Sequence, residues 1–473
     1  MKILLVEDNK SFANTIKASL EVIGGIQVEV AISSESANRA VAENFYDLIV
    51  LDLSIPQKDN ELESASEYGQ SVFYHAKEQA PRTPVRILTG SDPDKFTMKL
   101  VSYGESLDLW GANKSLPLIA YYPKEQADQL VAEIASLEKI LAQTNDITID
   151  TRGKKLAIPL EEQRIIKVFT RSSGGASCLL EQLGGGLSDS SVYRATVRNE
   201  KGNIQTISVA KLGSENAIQV ERTAYEQHVK HLGLTNFTPL LHHVNFGVKR
   251  RAGIFYTLAE DYKNNFFQHV RDGQVTSEMF GALRGNFDRW SNAKTLHPVT
   301  VKDVRRGMLS DDDLLALSSK FDLGFLDGIE DKQLKAYQSC IHGDFHGGNV
   351  LINSQGKSVV IDLGDVGVGF SCQDPVSLEL SLFFHPDAHE FGMGPKLSSK
   401  IGDWPIIDTY LNANSFAQVI DQCRQWAHDV GGSDAAVLAA GYAYVIRQLK
   451  YDTVQSDITL RVLQNIVVQL KEI

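Results

Sequence analysis

Three polar residues in the C-terminal half have the types and the spacing that phosphoryl transfer requires. Asp344 lies in the segment 340–352, Asn349 follows it five positions later, and Asp362 lies near the end of the apolar run 358–363. Phosphoryl transfer needs a carboxylate beside the acceptor hydroxyl and oxygen ligands that hold Mg²⁺ on the phosphates. Asp344 is therefore the candidate catalytic base, and Asn349 and Asp362 are the candidate ligands of Mg²⁺.

The sequence around these residues resembles that of a known family. The step from Asp344 to Asn349 matches the kinase catalytic loop H-R-D-x-x-x-x-N, with Gly343 in the place of the Arg. That glycine, together with His346, makes the segment resemble the aminoglycoside phosphotransferase and choline kinase branch of the kinase-like fold. In this resemblance Asp362, within Asp-Leu-Gly, corresponds to the metal-binding Asp of D-F-G. The alternative is a His- and Asp-rich turn with a structural network, for which two carboxylates, an Asn and a strand would have to coincide.

A glycine loop upstream fits the nucleotide-binding lobe that such a site requires. Residues 183–194 are rich in glycine and lie between two strand-like runs, 177–183 and 191–197. Glycines let backbone amides approach phosphate oxygens closely, and a serine hydroxyl adds another donor. The loop residues assigned to ATP binding are Gly184, Gly185, Gly186 and Ser188. For the loop alone, a plain hairpin turn is the alternative.

The strand-like run after the loop carries a lysine. Lys211, in Val-Ala-Lys, resembles the Lys of the V-A-I-K strand that reaches the α- and β-phosphates of ATP. A helix is predicted to begin near Glu215, and Glu221 on that helix is the candidate carboxylate for Lys211, with Glu226 as its competitor. The alternatives are a solvated lysine at a strand end and an ordinary charge on a helix face.

The run 252–261 resembles the hinge between the two lobes of a kinase-like fold. The resemblance implies that hinge backbone groups bind adenine, so Ala259 and Asp261 are assigned to the ATP site. No G-x-x-x-x-G-K-[ST] motif occurs, so the phosphate-binding loop is not a Walker P-loop.

The N-terminal part of the chain contains a second set of acidic residues. Glu7 and Asp8 follow an apolar run that begins at residue 2, and Asp52 follows another that begins near residue 47. Ligands of an open parallel sheet gather at the carboxyl ends of its strands, so these three acids can share one pocket. Like charges that are packed together need a cation, and oxygen ligands favour Mg²⁺.

Strand-like and helical runs alternate through this part in a way that resembles the receiver domain of response regulators. The strands are predicted at 27–31, 47–53, 85–88 and 118–122. The resemblance implies that Asp52 accepts a phosphoryl group from a histidine kinase, that Glu7 and Asp8 help to bind Mg²⁺, and that Thr89 and Lys124 bind phosphoryl oxygens.

Two features depart from the receiver pattern. A long polar loop follows Asp52, over residues 57–68, and the order Pro123-Lys124 reverses the usual Lys-Pro. The reversal could place Lys124 one residue out of register. The alternative is therefore a pseudo-receiver whose acidic pocket binds a cation, or nothing, and which serves only for dimerisation.

A chain of 473 residues suggests about three units at the usual domain size. We predict an α/β receiver domain with a doubly wound, flavodoxin-like parallel sheet, followed by a bilobal α+β protein-kinase-like fold. The predicted bounds are a receiver at 1–143, a linker at 144–175, a kinase-like N-lobe at 176–262 and a C-lobe at 263–473. The segment 264–338 is predicted to be mostly helical, and two amphipathic helices are expected within 434–473.

Charge and cysteine content exclude several classes of protein. A net charge of −12 and the lack of a helix-turn-helix or zinc spacing argue against nucleic-acid binding. Four cysteines without paired spacing suit a reducing compartment. No apolar run is long enough for a membrane span, and no signal peptide is recognisable, so a cytoplasmic protein without a membrane partner is expected.

The leading hypothesis is an ATP-dependent phosphotransferase, regulated by an N-terminal receiver that is phosphorylated at Asp52 in a bacterial two-component system. Expected partners are a histidine kinase, a second copy of the chain bound through the receiver, and a small-molecule or protein acceptor of unidentified type. One alternative is a pseudokinase scaffold that binds nucleotide without transferring phosphate. In another, the receiver alone is chemically active and the kinase-like half binds a partner.

Overall fold

The computed structural model describes residues 1–90, 104–184, 190–232 and 237–473. They form two compact units. The first contains Met1–Ile218 and Leu240–Thr257, and the second contains Gln219–Pro239 and Leu258–Ile473.

The N-terminal region of the first unit is built on a parallel sheet. Its strands are β1 (Lys2–Val6), β2 (Gln27–Ala31), β3 (Leu48–Leu51), β4 (Ile55–Pro56), β5 (Ser64–Ala65), β6 (Val85–Thr89), β7 (Ser106–Leu107), β8 (Leu116–Pro117) and β9 (Ile119–Pro123). Its helices are α1 (Lys10–Glu21), α2 (Ser34–Glu43), α3 (Ser66–Gln79) and α4 (Ala127–Asn145). The main sheet has the order β2-β1-β3-β6-β9, and every neighbouring pair is parallel. This is the doubly wound order that the sequence predicts.

Apolar residues on both faces of these strands explain the two helical layers. One core cluster packs α1 and α4 on one face, and another packs α2 and α3 on the other. A parallel sheet covered on both sides requires such continuously apolar strands, and β1, β3 and β6 are buried along almost their whole length.

The remainder of the first unit is a mixed sheet with a helix packed on it. The elements that follow along the chain are β10 (Thr148–Asp150), α5 (Leu160–Ser172), β11 (Ser177–Gly184), β12 (Ser191–Arg198), β13 (Ile204–Ser214), α6 (Glu215–Gln227), β14 (Leu240–Val244) and β15 (Arg251–Thr257). Residues of α6 from Gln219 onward belong to the second unit. The sheet order is β10-β11-β12-β13-β15-β14. The stretch predicted as a linker thus contains a strand and a helix, because α5 has an apolar face that packs on the sheet. Phe169 of α5 stacks on Phe255 with ring centroids 3.8 Å apart.

Buried polar contacts join the receiver region to this mixed sheet within the first unit. Arg164 on α5 donates to Asp47 at 2.7 Å, and both side chains are less than a tenth exposed. Arg171, also on α5, donates to the carbonyl of Ile140 at 2.6 Å and to the hydroxyl of Thr144 at 2.8 Å, both on α4. The two regions therefore pack as one body.

The second unit contains short sheets surrounded by helices. Its strands are β16 (Asn264–Asn265), β17 (Thr295–Thr300), β18 (Gln333–Ile341), β19 (Val350–Ile352), β20 (Ser358–Val360) and β21 (Gly367–Phe370). They form the sheets β16-β19-β20 and β17-β18-β21. The segment predicted to be mostly helical therefore also contains β17 and most of β18, which pair with each other.

The helices of the second unit account for most of its core. They are α7 (Phe266–Arg271), α8 (Ser277–Gly285), α9 (Asp288–Ser291), α10 (Val301–Arg306), α11 (Asp311–Ser318), α12 (Gln373–Phe384), α13 (Pro386–Glu390), α14 (Met393–Leu397), α15 (Ile407–Leu411), α16 (Ala417–Gly431), α17 (Asp434–Gln448) and α18 (Ser456–Glu472). The last two are the two predicted C-terminal helices. Among the described residues, no helix has the length and apolar character needed to cross a membrane.

Candidate functional site

A short hairpin in the second unit brings the two candidate metal ligands together. Strands β19 and β20 pair antiparallel, with Val350 opposite Val360. Asn349 directly precedes β19 and Asp362 comes two residues after β20, so both lie at the same end of the hairpin. The amide of Ile361 donates to the carbonyl of Asn349 at 3.0 Å and closes this end.

Asn349 also links the hairpin to Asp344. Its side-chain Nδ2 donates to the backbone carbonyl of Asp344 at 2.9 Å, and the residue is 6% exposed. Because the carbonyl can only accept, this bond sets the orientation of the amide and leaves Oδ1 for another contact. Asp362 has a positive φ of 62°, an uncommon conformation for a residue other than glycine. An amide oxygen and a carboxylate at one hairpin end are a donor set that suits Mg²⁺.

A buried carboxylate holds the backbone just before Asp344. Asp374, at the start of α12, accepts from the amide of His342 at 2.7 Å and from that of Gly343 at 3.0 Å. Asp374 is 4% exposed, and burial raises the pKa of its carboxyl. Two charge-assisted hydrogen bonds in a buried setting fix the loop from which the Asp344 side chain projects.

The Asp344 side chain is 35% exposed and has a cation and an imidazole near it. Arg447 Nη1, from α17, lies 3.5 Å from Oδ1, and His346 Nε2 lies 3.8 Å from Oδ2. His346 Nδ1 accepts from the amide of Gly348 at 3.2 Å, so a neutral ring carries its proton on Nε2, toward Asp344. The carboxylate thus lies between two donor groups, both beyond the usual hydrogen-bond distance.

Two partly buried histidines stack beside this loop. The rings of His346 and His385 have centroids 4.1 Å apart, and Phe267 packs near both. Burial lowers the pKa of His346 to about 4 and that of His385 to about 3. The Asp362 carboxylate acts in the opposite direction on His346, which places it close to the same loop.

Two residues of this site were missed by sequence reasoning. Asp374 carried a usable signal, because a carboxylate in Asp-Pro at the start of a strongly apolar helix needs buried donors. Arg447 carried none, since it lies far along the chain on an ordinary amphipathic helix.

In the first unit, three neighbouring strands align the start of the glycine loop with the candidate lysine. Gly184, the last residue of β11, is opposite Val192 of β12, and Val192 is opposite Lys211 of β13. Lys211 is only 9% exposed. Gly185, Gly186 and Ser188 lie outside the described residues, so their assignment stays a prediction.

The other assigned nucleotide-site residues lie in the second unit. Glu221, on α6, is fully buried, whereas Glu226 is ion-paired to the exposed Lys230 at 2.6 Å. That hydrogen bond lowers the pKa of the Glu226 carboxyl. Ala259 and Asp261 follow β15 and are both exposed.

The receiver region brings its three predicted acids together. Carboxylate oxygens of Glu7, Asp8 and Asp52 lie within 4.8 Å of one another, at the carboxyl ends of β1 and β3. Lys124 Nζ reaches Asp52 Oδ2 at 2.6 Å and Glu7 Oε2 at 2.7 Å, so the reversed Pro-Lys order does not keep the lysine out of the pocket. Thr89, at the end of β6, is 2% exposed.

Burial governs the ionisation of this pocket. It raises the pKa of Glu7, and the negative charge of Asp52 raises it further while Lys124 opposes both. Burial alone would lower the pKa of Lys124, but hydrogen bonds to Asp52 and Glu7 raise it. Three carboxylate oxygens in so small a space are the donor set that a hard divalent cation prefers.

The long polar loop after Asp52 folds back onto the pocket. Strands β4 and β5 pair as a small hairpin, and Ser64 donates to Asp8 Oδ2 at 2.8 Å. At the other side, Ser33 donates to Asp59 Oδ1 at 2.5 Å. This departure from the usual receiver loop is thus an ordered cover anchored on both sides.

Comparisons with known families agree with this geometry. Residues 3–106 match the family model described as "Response regulator receiver domain", and residues 280–393 match "Phosphotransferase enzyme family". Residues 176–279 match "Ternary complex associated domain 9". The chain therefore contains a receiver domain followed by a phosphotransferase-family domain, and the predicted fold class is confirmed.

Solved structures with local similarity include receivers and a choline kinase. The receiver domain of the Francisella response regulator 1452 is 27% identical, over 29% of this chain and 96% of that one, with a TM-score of 0.22. A CheY-like receiver from Methanospirillum hungatei JF-1 is 18% identical, over 29% and 95%, with a TM-score of 0.22. Choline kinase LicA from Streptococcus pneumoniae is 13% identical, over 62% and 93%, with a TM-score of 0.32. No curated protein gives a sequence match.

Proposed function

We propose that the chain is an ATP-dependent phosphotransferase whose activity is controlled by its receiver domain. The observation that carries the proposal is the hairpin end that joins Asn349 and Asp362 to the loop of Asp344. The match of residues 280–393 to the phosphotransferase family supports the same reaction class.

In the proposed reaction Asp344 accepts the proton of an acceptor hydroxyl. As that oxygen bonds to the γ-phosphorus of ATP, the bond from phosphorus to the β–γ bridging oxygen breaks, and ADP leaves with its electron pair. Mg²⁺, held by Asn349 and Asp362, would neutralise charge on the phosphates. Lys211 binds the donor phosphates, and the buried Glu221 is favoured over Glu226 as its partner because Glu226 is already paired to Lys230. The exposed Ala259 and Asp261 border the adenine.

In the receiver, Asp52 is the proposed site of phosphorylation by a histidine kinase. Glu7 and Asp8 would hold Mg²⁺ with Asp52, and Thr89 and Lys124 would bind the phosphoryl oxygens. The proposal is supported by the ion pairs of Lys124 with both Asp52 and Glu7, which a phosphoryl group on Asp52 must rearrange. Such a change of local charge is how receivers bias a coupled domain.

Single-turnover transfer from γ-labelled ATP tests the enzyme. With the wild-type chain, label should move from ATP to an acceptor in a lysate or to the chain itself, and this transfer should be lost in Asp344→Ala and Asp344→Asn. The exposed Asp408→Ala, in the same unit, should transfer as wild type does. If wild type binds Mg·ATP but neither hydrolyses nor transfers it, the pseudokinase alternative replaces this proposal.

Phosphorylation of the receiver has a separate test. Treating the chain with acetyl phosphate and Mg²⁺ should label wild type and leave Asp52→Asn unlabelled, and transfer by the kinase-like half should then differ between the two. An Asp52→Asn variant that is labelled as fully as wild type would exclude Asp52 as the site.

A further inference from the structure

A cavity opens beside the candidate base in the second unit. Its volume is about 390 Å³, within the range of small-molecule sites. Gly343, the residue before Asp344, contributes to its wall, as does β21, whereas the metal-ligand candidates Asn349 and Asp362 do not. Arg447, another residue of the wall, lies 3.5 Å from Asp344 Oδ1, so the cavity adjoins the candidate base.

Cations from the end of one helix line this cavity. Arg447 and Lys450, at the C-terminal end of α17, both contribute to the wall together with Tyr451. Cations are common at helix C-termini because they interact favourably with the helix dipole. Here both also face a cavity next to the reacting position, and helix stabilisation alone does not require that.

The existing partners of the two cations leave donors for a ligand. Arg447 Nη1 lies 3.5 Å from Asp344 Oδ1, beyond the usual hydrogen-bond distance, and the guanidinium carries five N–H donors. Lys450 Nζ is 3.0 Å from Asp313 Oδ2, an ion pair in which both side chains are more than a third exposed. Exposed pairs of this kind are weak and exchange readily.

We propose that the phosphoryl acceptor is a small hydroxyl compound with a carboxylate or phosphate group, and that Arg447 and Lys450 bind this group in the cavity. The inference rests on the proposed phosphotransferase function. Although the net charge of the chain is −12, the cations at this helix end make the cavity wall suited to an anionic group.

Binding measurements without ATP test this acceptor class. The probes are four compounds of similar size: glycerol, D-glycerate, sn-glycerol 3-phosphate and choline. The full chain should bind D-glycerate or sn-glycerol 3-phosphate at least about tenfold more tightly than glycerol or choline. Its affinity for the anions should fall as the salt concentration is raised. The anion that binds more tightly shows whether the acceptor's charged group is a carboxylate or a phosphate.

Substitutions locate the binding to the cavity. Lys450→Gln should weaken binding of the anion about fivefold, whereas Lys320→Gln, an exposed lysine outside the cavity, should not change it. Asp313→Asn, which removes the partner of Lys450 but keeps the cation, should strengthen binding about twofold. A gain of affinity cannot result from misfolding.

Two results would overturn the proposal: equal or tighter binding of glycerol or choline, or anion binding that is the same in Lys450→Gln and wild type. Failure of the proposed function is a different result. If anions bind as expected but no label moves from γ-labelled ATP to them or to any other acceptor, the cavity is an anion site and the transferase proposal falls.

Discussion

The backbone at Gly343 has no space for a side chain, and this explains why the loop before Asp344 departs from the kinase pattern. Its φ is +86°, and a Cβ would lie 2.4 Å from the carbonyl oxygen of Asp365. An arginine at this position would need both a different φ and a displaced Asp365. Glycine at position 343 therefore allows the backbone conformation that positions Asp344.

Substitution of Gly343 should affect transfer more than stability. Gly343→Ala forces the loop to move, and a shift of about 1 Å in a catalytic group can lower a rate about 100-fold. Gly328→Ala is the matched control, because Gly328 also has a positive φ, +76°, but nothing within 4 Å of the added Cβ. It should cost about 1–2 kcal/mol in free energy of unfolding and leave transfer intact.

The assay is single-turnover transfer together with urea unfolding of both variants. Equal rates in Gly343→Ala and Gly328→Ala would show that the clash with Asp365 does not position Asp344.

A partly buried, neutral histidine should make the second unit sensitive to acid. The pKa of His385 is lowered by burial to about 3, against 6.5 in an unfolded chain. Between these values the unfolded chain binds a proton that the folded chain does not, so stability falls as pH falls below 6.5. His385→Asn keeps an acceptor for the amide of Asp387, which His385 Nδ1 binds at 3.2 Å, but cannot titrate.

In His385→Asn, the slope of unfolding free energy against pH should be smaller than in wild type by about 1.4 kcal/mol per pH unit between pH 4.5 and 6. Urea unfolding followed by tryptophan fluorescence measures it, because Trp290, Trp404 and Trp426 all lie in this unit. The exposed His297→Asn should leave the slope unchanged. An unchanged slope in His385→Asn would mean that this ring is not held neutral.

At the scale of elements, a buried ion pair ties α12 to α16. Glu379 on α12 accepts from Arg424 Nη2 at 2.7 Å and from Trp404 Nε1 at 2.7 Å, and Glu379 and Arg424 are at most 5% exposed. Helix α12 also begins with Asp374, so the same element packs the core and holds the loop before Asp344.

Breaking this pair should be costly. Glu379→Gln leaves the buried guanidinium without a counter-charge, and we expect a loss of about 3–5 kcal/mol in the free energy of unfolding. Asp429→Asn, in the exposed pair with Arg284 at 2.8 Å, should cost less than about 1 kcal/mol. Replacing both Glu379 and Arg424 by Leu should cost less than Glu379→Gln alone, since no unpaired charge remains. Equal losses in the exposed and buried pairs, measured in urea, would contradict the argument.

At the scale of the whole molecule, the first unit is more than a receiver joined to a lobe by a flexible linker. Helix α5 lies in the stretch predicted as a linker, packs on the mixed sheet through Phe169, and bonds the receiver through Arg164 and Arg171. Asp47, the partner of Arg164, directly precedes β3, the strand that leads to Asp52. Packed side chains and hydrogen bonds therefore connect the receiver pocket, through β3 and α5, to the mixed sheet within this unit.

Arg164 should be the main polar contact across this packing. Arg164→Met leaves Asp47 buried without its partner, which should cost about 3–5 kcal/mol and increase amide exchange in α5 and β3. Arg152→Met, in a more exposed pair with Glu181 at 3.0 Å, should cost less than about 1 kcal/mol. Hydrogen exchange and thermal unfolding measure both, and unchanged exchange in α5 and β3 would show that the receiver is held by other contacts.

The sequence alone determined the features that depend on local pattern. Strands of the receiver sheet, the strand that precedes Asp362 and the two C-terminal helices were all predicted, because apolar periodicity and turn residues act over a few neighbouring positions. The clustering of Glu7, Asp8 and Asp52 was predictable for a related reason, since parallel strands deliver their carboxyl ends to one edge.

Only the tertiary structure decided what depends on residues far apart in the chain. The hydrogen bonds between Asp374 and the loop before Asp344, the approach of Arg447 to Asp344 and the cationic wall of the cavity each join segments that no local pattern connects. The same holds for α5, which lies in the stretch predicted as a linker and whose partners, the mixed sheet and Asp47, are distant in the sequence. The energies of burial and of long-range pairing depend on which residues become neighbours in the folded chain. A local sequence pattern does not specify those neighbours.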